Sequence, residues 1–384
     1  MKVQQIERPL SYEIRDLISK YDDSISLSVG EPDYQTPSHI IEEGTKALNQ
    51  GFTHYAGDTG LLALRETISK TLKAEKGLDF DPISGVVITV GSAAANFAAI
   101  MSLIDPGDEV ILPSIYYPPY LTATRLAGGI PKLMKLREDR SFNPAPEDVD
   151  SVITERTKLF IVNSPNNPTG GVLERDILEH IADVSKKHDL FILSDEVYEK
   201  FVYDGMKVKS IATFPRMFER TIITNSFSKT YAMTGWRVGY AAGDPQLISQ
   251  LLKVHYAMNV SAPMMAQKAA ITALTGSQDP VIEMVNEYDR RRKIMFEGLN
   301  KIRGITCALP KGAFYAFPNI SSFGISSIAL AKRLAMEARV ATVPGIAFGP
   351  DGEGHLRLSY ASSTKSIIEA IERVDVFLEQ MDRG

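Results

Sequence analysis

The chain has 384 residues, of which 44% are hydrophobic and 23% charged, enough for two domains with substantial cores. Its formal net charge of -5 argues against nucleic acid as a partner, because a polyanion would be repelled. The single cysteine, Cys307, excludes an internal disulfide, and the first ten residues lack the apolar core of a signal peptide, so a cytoplasmic protein is predicted.

The first part of the chain alternates helical patterns with glycine-rich breaks. Helices are predicted at 11–18, 38–49 and 62–76. An extended run at 26–29 ends at Gly30, which would let a ligand approach the backbone closely, although a plain turn glycine explains it equally well. Between the second and third helices, the loop 51–60 displays Tyr55 among glycines and is too rich in aromatic residues for a mere linker.

The segment from Gly85 to Ile104 carries no charged residue and is nominally long enough to span a bilayer. Its composition favours another structure, because a β-branched run closes at a Gly-Ser pair and an alanine-rich run with an embedded Asn96 follows. We interpret it as a buried strand followed by a buried helix, and we predict no contact with a membrane.

From this segment onward, short apolar runs alternate with helical patterns such as 174–187. Strands are predicted at 86–90, 109–112, 132–136, 159–163, 191–195, 221–225 and 238–242. This alternation predicts an α/β fold whose mostly parallel seven-stranded sheet carries helices on both faces. In such sheets, ligands bind beyond the carboxyl ends of the strands.

The pattern changes beyond about residue 277, where strands and helices alternate less regularly. A long helix is predicted at 283–302, and its basic run at 289–293 is interpreted as a solvated face. Further elements are predicted as strands at 313–317 and 355–359 and helices at 327–338 and 364–380. The order suggests a smaller α+β domain.

The stretch 221–240 delivers Lys229 just after an apolar run, with Ser226 and Ser228 before it and Arg237 beyond it. A lysine amine can form a Schiff base, while hydroxyls and a guanidinium fork can hold a phosphate. Pyridoxal phosphate is the cofactor that needs both. The alternative is a strand, a serine-rich turn and a solvated lysine. Motifs elsewhere in the chain are needed to choose between this structure and a cofactor site.

Three polar residues follow the ends of neighbouring predicted strands. Asp195 ends an apolar strand and needs a partner such as a protonated pyridine nitrogen, unless it only caps the strand. Asn167 lies in a turn fixed by prolines and would donate to the ring oxygen of such a cofactor, as would Tyr198. Turn formation remains the alternative for both.

Two further sites for anions are predicted. At Gly91-Ser92-Ala93-Ala94, small residues leave the N–H groups of a helix N-terminus unpaired, although the turn has no lysine for a nucleoside triphosphate. Arg357, on a short apolar strand, needs either a ligand carboxylate or a structural salt bridge.

The tyrosines in 116–120 would stack on a planar cofactor or pack in the core.

Taken together, these motifs resemble those of the class I/II aminotransferases among the fold-type I pyridoxal-phosphate enzymes. The resemblance extends from Gly30-Glu-Pro-Asp to Arg357-Leu-Ser-Tyr and includes Asn-Asn-Pro-Thr-Gly and Asp-Glu-Val-Tyr. It implies that Lys229 forms the Schiff base with pyridoxal 5′-phosphate, that Asp195 pairs with the ring nitrogen, that Asn167 and Tyr198 hold the ring oxygen, and that Tyr117, or Tyr116 next to it, stacks on the ring.

The resemblance also implies a phosphate site made of the Ser92 and Ala93 backbone amides, Ser226, Ser228, Arg237, and Tyr55 from a second subunit. Ala93 departs from many members, which carry a polar side chain there, and offers only its N–H. Arg357 would bind the substrate α-carboxylate, with Gly30 beside it. A homodimer with shared active sites is therefore expected, with a large domain at 46–275 and a small domain from 1–45 and 276–384.

The implied reaction moves an amino group between an L-amino acid and a 2-oxo acid such as 2-oxoglutarate. The donor would be aspartate, an aromatic amino acid or both; the cluster of Tyr116, Tyr117 and Tyr120 favours an aromatic or mixed pocket, and no further cation is placed there for a second carboxylate. Two alternatives stay open, a β-lyase or decarboxylase with the same cofactor and a non-catalytic regulator. No metal site is predicted.

Overall fold

The predicted apolar runs form the strands of a large sheet in the computed structural model, which describes residues 10–383. The strands of the described chain, including those outside the large sheet, are β1 Ile25–Ser26, β2 Val86–Thr89, β3 Glu109–Pro113, β4 Ile130–Met134, β5 Thr157–Asn163, β6 Phe191–Asp195, β7 Thr221–Ser226, β8 Gly239–Ala242, β9 Tyr315–Ala316, β10 Val340–Ala341, β11 Val343–Pro344 and β12 Leu356–Ser359.

Helices connect and cover these strands. They are α1 Leu10–Ile18, α2 Ser38–Asn49, α3 Leu62–Lys76, α4 Gly91–Leu103, α5 Pro118–Ala127, α6 Pro146–Asp150, α7 Arg175–Lys187, α8 Phe227–Thr230, α9 Pro245–Asn259, α10 Met264–Thr275, α11 Asp279–Leu299, α12 Ser327–Arg333 and α13 Thr364–Arg383. A π-helical turn, Leu334–Ala338, continues α12. None of these helices combines the length and apolarity needed to cross a membrane.

The seven strands β2 to β8 form one sheet in the order β2-β8-β7-β6-β5-β3-β4. Strand β8 runs antiparallel to β2 and β7, and the other neighbours are parallel, which confirms the predicted mostly parallel sheet. Asn163 at the end of β5 pairs in register with Asp195 at the end of β6. The polar strand ends therefore meet at one edge of the sheet.

Both faces of this sheet are buried under helices, and successive side chains of each strand point to opposite faces. Ile222 packs in the cluster that contains residues of α4 and α9, while Ile223 packs with residues of α3 and α10. The uncharged segment around residues 85–104 becomes β2 and α4, as predicted, and both lie in these cores.

A second region is built from the C-terminal elements and the beginning of the described chain. Strands β11, β12 and β9 form a small antiparallel sheet, and β1 pairs in parallel with β10, with Ile25 opposite Val340. The division into 46–275 and the two chain ends stays a prediction. Helix α2 packs against α10, which favours moving the first boundary to the start of α2.

The interpretation of the basic run at 289–293 as a solvated face is wrong for two of its residues. Arg292 is fully buried and its guanidinium pairs with Asp204 at 2.8 Å. Arg291 is also buried, and it pairs with Asp33 at 2.8 Å and with Glu287 at 2.8 Å. Carboxylates from distant segments, Asp33 and Asp204, pair with the two guanidinium groups, which makes their burial possible.

Candidate active site

Lys229 lies at the centre of the site, on the short helix α8 that follows β7. Ser226, the last residue of β7, caps the N-terminus of this helix, because its Oγ accepts a hydrogen bond from the N–H of Ser228 at 3.0 Å. The Lys229 side chain turns inward, and its Nζ donates to the backbone carbonyl of Gly30 at 2.5 Å. The strand end therefore presents a largely buried amine to the N-terminal segment.

The charge of this amine is unfavourable in its surroundings. Burial, together with the positive charges of Arg357 and Arg237, lowers the pKa of Lys229 from 10.5 to about 8, against the opposing effects of Glu31 and Asp195. A lysine with this pKa has a substantial neutral fraction near pH 8. It can therefore act as a nucleophile and accept a proton.

Asp195 lies at the end of β6 and is 3% exposed. Its Oδ2 accepts hydrogen bonds from Asn96 Nδ2 and from the Tyr120 hydroxyl, both at 2.6 Å, and its Oδ1 accepts from the Val197 N–H at 3.2 Å. Burial raises the pKa of Asp195, and the hydrogen bonds oppose this effect. In the described part of the chain, no cation lies within ion-pair distance of the carboxylate.

Asn167 is held by the turn that follows β5. Its N–H donates to Asn163 Oδ1 at 3.1 Å, and Asn166 Oδ1 accepts from the N–H and hydroxyl of Thr169 in the same turn. The Asn167 side chain accepts a hydrogen bond from Arg357 Nη1 through Oδ1 at 3.0 Å. This bond assigns the carbonyl end of the amide to the arginine and leaves Nδ2 as a donor.

Tyr198 is buried three residues beyond Asp195, at 3% exposure. Burial raises the pKa of Tyr198 well above its ordinary value, so the side chain is a neutral phenol. Its hydroxyl shares a hydrogen bond with the hydroxyl of Tyr315 at 2.7 Å.

Arg357 lies on β12 and is 6% exposed. Its Nη2 donates to the Ser28 carbonyl at 2.7 Å, and its guanidinium carbon lies 4.5 Å from the ring centroid of Tyr315 and 4.9 Å from that of Phe348. Its buried Nε has no hydrogen-bond partner, and among residues 10–383 no carboxylate pairs with the side chain. A structural salt bridge, the alternative left open by the sequence, does not account for this arginine.

The N-terminus of α4 presents a backbone surface near the end of β7. Helix α4 begins at Gly91 with a positive φ of 75°, and no side chain caps its first turn. Gly239 of β8 lies against it, since a Cβ there would approach Ser92 N to 2.9 Å. The N–H groups of Ser92 and of the exposed Ala93 are thus available to an anion.

Arg237 and two serines border the same surface. Arg237 has a left-handed backbone with φ 54°, and its guanidinium donates to the Thr234 carbonyl at 2.7 Å and to the Val90 carbonyl at 3.3 Å. Like Arg357, it has no carboxylate partner within the described ranges. Ser226 Oγ donates to Ser228 Oγ at 2.7 Å, so both hydroxyls lie together.

The three tyrosines at 116–120 have different environments. Tyr117 is half-buried, and burial raises its pKa to about 12, with Asp195 and Arg357 among the nearby charges. Tyr116 is 6% exposed and packs in the core below α5. Tyr120 is 1% exposed and supports Asp195. Only Tyr117 of the three is partly exposed, and the pocket of three tyrosines stays a prediction.

Two predicted residues stand apart from the strand ends. Gly30 lies beside the site, where a Cβ would come within 2.6 Å of the Tyr315 hydroxyl oxygen, so its lack of a side chain matters. Tyr55 is 79% exposed, and no contact brings its hydroxyl to the other site residues of the same chain.

The sequence reasoning missed the residues that support the site. Asn96, Tyr120 and Tyr315 hydrogen-bond to predicted site residues, but none was assigned this role. Asn96 gave a usable signal, because a polar residue in a buried alanine-rich helix must find a partner. Tyr315 gave none, since its alternation in a short strand is typical of core packing.

Comparisons with known proteins agree with this geometry. A family model described as aminotransferase class I and II matches residues 22–374. The aspartate aminotransferase of Pyrococcus abyssi is 42% identical over 368 residues, covering 95% of this chain and 94% of the relative. Aromatic-amino-acid aminotransferase 2 of Thermococcus litoralis has the same identity and coverage. A solved aromatic aminotransferase from Pyrococcus horikoshii is 41% identical, with a TM-score of 0.92 over 96% of this chain and 99% of its own.

Proposed function

The chain belongs to the class I and II aminotransferase family, whose members use pyridoxal 5′-phosphate, and we propose that the site around Lys229 holds this cofactor. It is an aminotransferase. We further propose that it moves an amino group between aspartate or an aromatic amino acid and a 2-oxo acid such as 2-oxoglutarate, the donors that the names of its relatives indicate.

One observation carries the proposal: a largely buried lysine amine lies near two arginines that pair with no carboxylate among residues 10–383. The orphaned Nε of Arg357 supports an anionic ligand on one side, and the uncapped N-terminus of α4 supports one on the other. Asp195 supports a cation, since its buried carboxylate receives only neutral donors. A ligand with a phosphate and a protonated ring fits this set.

Different residues of the site would bind different parts of the cofactor. The phosphate would be held by the N–H groups of Ser92 and Ala93, the hydroxyls of Ser226 and Ser228, and the Arg237 guanidinium. Asp195 would bind the ring nitrogen, and Tyr117 would lie against the ring. Asn167 Nδ2 and the Tyr198 hydroxyl would donate to the ring oxygen, because Asn167 Oδ1 is occupied by Arg357.

When bound, pyridoxal phosphate supplies a ring that withdraws electrons from the substrate Cα. Asp195 keeps the proton on the ring nitrogen, since a buried carboxylate stabilises a neighbouring cation. Nζ of Lys229, once the substrate amine has displaced it, would move the proton between the substrate Cα and C4′ of the cofactor, and its pKa of about 8 suits both taking and giving the proton. Arg357 holds the substrate carboxylate and so fixes Cα within reach of Nζ.

The alternatives left open by the sequence receive no support. The relatives reported above are named aminotransferases, and none is named as a lyase or a regulator. Incubating the loaded protein with single amino acids separates these classes. Transamination converts the cofactor's absorbance to that of the amine form and releases a 2-oxo acid, whereas pyruvate with ammonia would indicate elimination. A panel of donors with 2-oxoglutarate then ranks the substrates.

We also propose a homodimer in which Tyr55 completes the phosphate site of the other subunit. The support is its exposure of 79% in the single chain, which leaves its hydroxyl accessible to a second subunit. Its phenol would add one hydrogen bond to the phosphate. Sedimentation of the loaded protein tests the dimer.

A further inference from the structure

Tyr315 connects the two sides of the proposed site. Its hydroxyl shares a hydrogen bond with the Tyr198 hydroxyl at 2.7 Å, and its ring lies 4.5 Å from the guanidinium carbon of Arg357. It is 1% exposed on β9, where it pairs in register with Ser359 of the strand that carries Arg357. One side chain thus touches the group assigned to the cofactor ring oxygen and the group assigned to the substrate carboxylate.

The proton count fixes the direction of the hydrogen bond between the tyrosines. Each is a neutral phenol with one proton, because burial raises the pKa of both. If Tyr198 donates its proton to the cofactor, its oxygen must accept from Tyr315. Two hydrogen bonds in one direction polarise each other, so Tyr315 makes Tyr198 a stronger donor.

Tyr315 also restricts which residue can occupy position 30 in the N-terminal segment. A Cβ at residue 30 would lie 2.6 Å from its hydroxyl oxygen, so only glycine fits there without displacing the ring. The carbonyl of this same Gly30 accepts the hydrogen bond from Lys229 Nζ. The position of the Tyr315 hydroxyl and the resting position of the amine are therefore linked through one peptide unit.

We propose that Tyr315 is a positioning residue with two separate functions: its hydroxyl directs and strengthens the Tyr198 donor, and its ring supports the guanidinium plane of Arg357. The inference rests on the proposed function, because it assumes the cofactor at Tyr198 and a carboxylate at Arg357.

Tyr315→Phe removes the hydroxyl and keeps the ring. The test is a spectrophotometric pH titration of the cofactor in the loaded protein, without substrate. A weaker donor at the ring oxygen would make Nζ of Lys229 in its bond to the cofactor more basic, so the midpoint should move upward, by less than in Tyr198→Phe. The dissociation constant of 2-oxoglutarate, measured by calorimetry, should stay unchanged in Tyr315→Phe.

Tyr315→Leu removes the ring as well. The dissociation constant of 2-oxoglutarate should rise roughly threefold to thirtyfold, the effect of losing a desolvated cation–π contact. Tyr203→Phe is the matched control, because Tyr203 is a buried tyrosine of the same core whose hydroxyl donates to the backbone of Ala313. It should alter neither measurement.

The double variant Tyr198→Phe/Tyr315→Phe shows whether Tyr315 acts through Tyr198. Its midpoint should equal that of Tyr198→Phe, since the second change has nothing left to act through. An additive shift, or a Tyr315→Phe midpoint equal to wild type, overturns the inference. If wild type itself takes up no pyridoxal phosphate at Lys229, the proposed function fails instead, which the wild-type spectrum reveals.

Discussion

Two arginines flank Lys229, and their surroundings differ. Arg237 is exposed and donates to two backbone carbonyls beside a helix N-terminus and two serines. Arg357 is 6% exposed, lies between two aromatic rings and keeps a buried Nε without a partner. Neither pairs with a carboxylate in the described part of the chain.

The difference indicates different tasks. In the proposed site, several donors around Arg237 would share the phosphate, so each would contribute part of the binding free energy and the anion would stay bound. Around Arg357, one desolvated guanidinium would supply most of the attraction, which suits a carboxylate that must enter and leave in each cycle. The following changes should affect the two sites unequally.

The largest effect is expected from the residue between them. Lys229→Ala should abolish transamination and leave both anion sites intact, because it removes the nucleophile and the proton carrier but neither arginine. Single-turnover conversion of the cofactor measures the loss of transamination, and equilibrium binding of pyridoxal phosphate shows whether the phosphate site is intact. Lys253→Ala, an exposed lysine on α9, is the control. Appreciable turnover in Lys229→Ala would contradict the assignment.

Arg357→Leu should raise the Michaelis constants for amino acid and 2-oxo acid together, because both present the same carboxylate to one fork. Hydrogen bonds to charged groups contribute about 1.5–3 kcal/mol, so the rise should be roughly tenfold or more. Arg357→Lys should lie between wild type and Arg357→Leu, since an ammonium keeps the charge and loses the fork. Unchanged constants in steady-state kinetics would mean that Arg357 is structural.

The pH dependence of cofactor uptake should report the charges of both arginines. Lys229 must be neutral to react, and its pKa is lowered to about 8, so uptake by the cofactor-free protein should increase through this pH rather than near 10.5. From pH 7 to pH 9, the neutral fraction of such an amine rises roughly tenfold. Removing either arginine removes a positive charge and should move the midpoint upward. Stopped-flow absorbance measures the pH midpoint of cofactor uptake. A midpoint that is the same in wild type and in both arginine variants would exclude this electrostatic coupling.

The smallest effect is expected from Tyr55→Phe, which should weaken pyridoxal phosphate binding about two- to tenfold, the net effect of one hydrogen bond in contact with water. Exchanging its subunits with Lys229→Ala creates a heterodimer in which one site combines Lys229 with an intact neighbouring Tyr55. Recovered affinity at that site supports sharing. Active monomers in sedimentation would disprove it.

The strand ends could be predicted from the sequence because local patterns determine them. Seven apolar runs ended in or near polar residues such as Asn163, Asp195 and Ser226, and parallel pairing brings such ends to one edge. The motifs around Lys229 and Arg357 are equally local, so the sequence alone predicts the candidate side chains of the site.

The partners of these residues depend on distant contacts and could not be predicted. Asp195 is held by Asn96 and Tyr120, 99 and 75 residues away in the chain. The burial of Arg291 and Arg292 likewise depends on carboxylates 258 and 88 residues away. No local pattern carries this information, because a basic helical run has the same sequence pattern whether its side chains are solvated or pair with distant carboxylates.

The independence of the two anion sites is tested most directly by two variants and two ligands. The dissociation constant of pyridoxal phosphate is measured on the cofactor-free proteins, and that of 2-oxoglutarate on the loaded proteins, for Arg237→Leu and Arg357→Leu. Arg237→Leu should weaken pyridoxal phosphate binding more than 2-oxoglutarate binding, and Arg357→Leu should do the reverse. If both variants weaken the same ligand to the same extent, the two arginines do not serve separate anions.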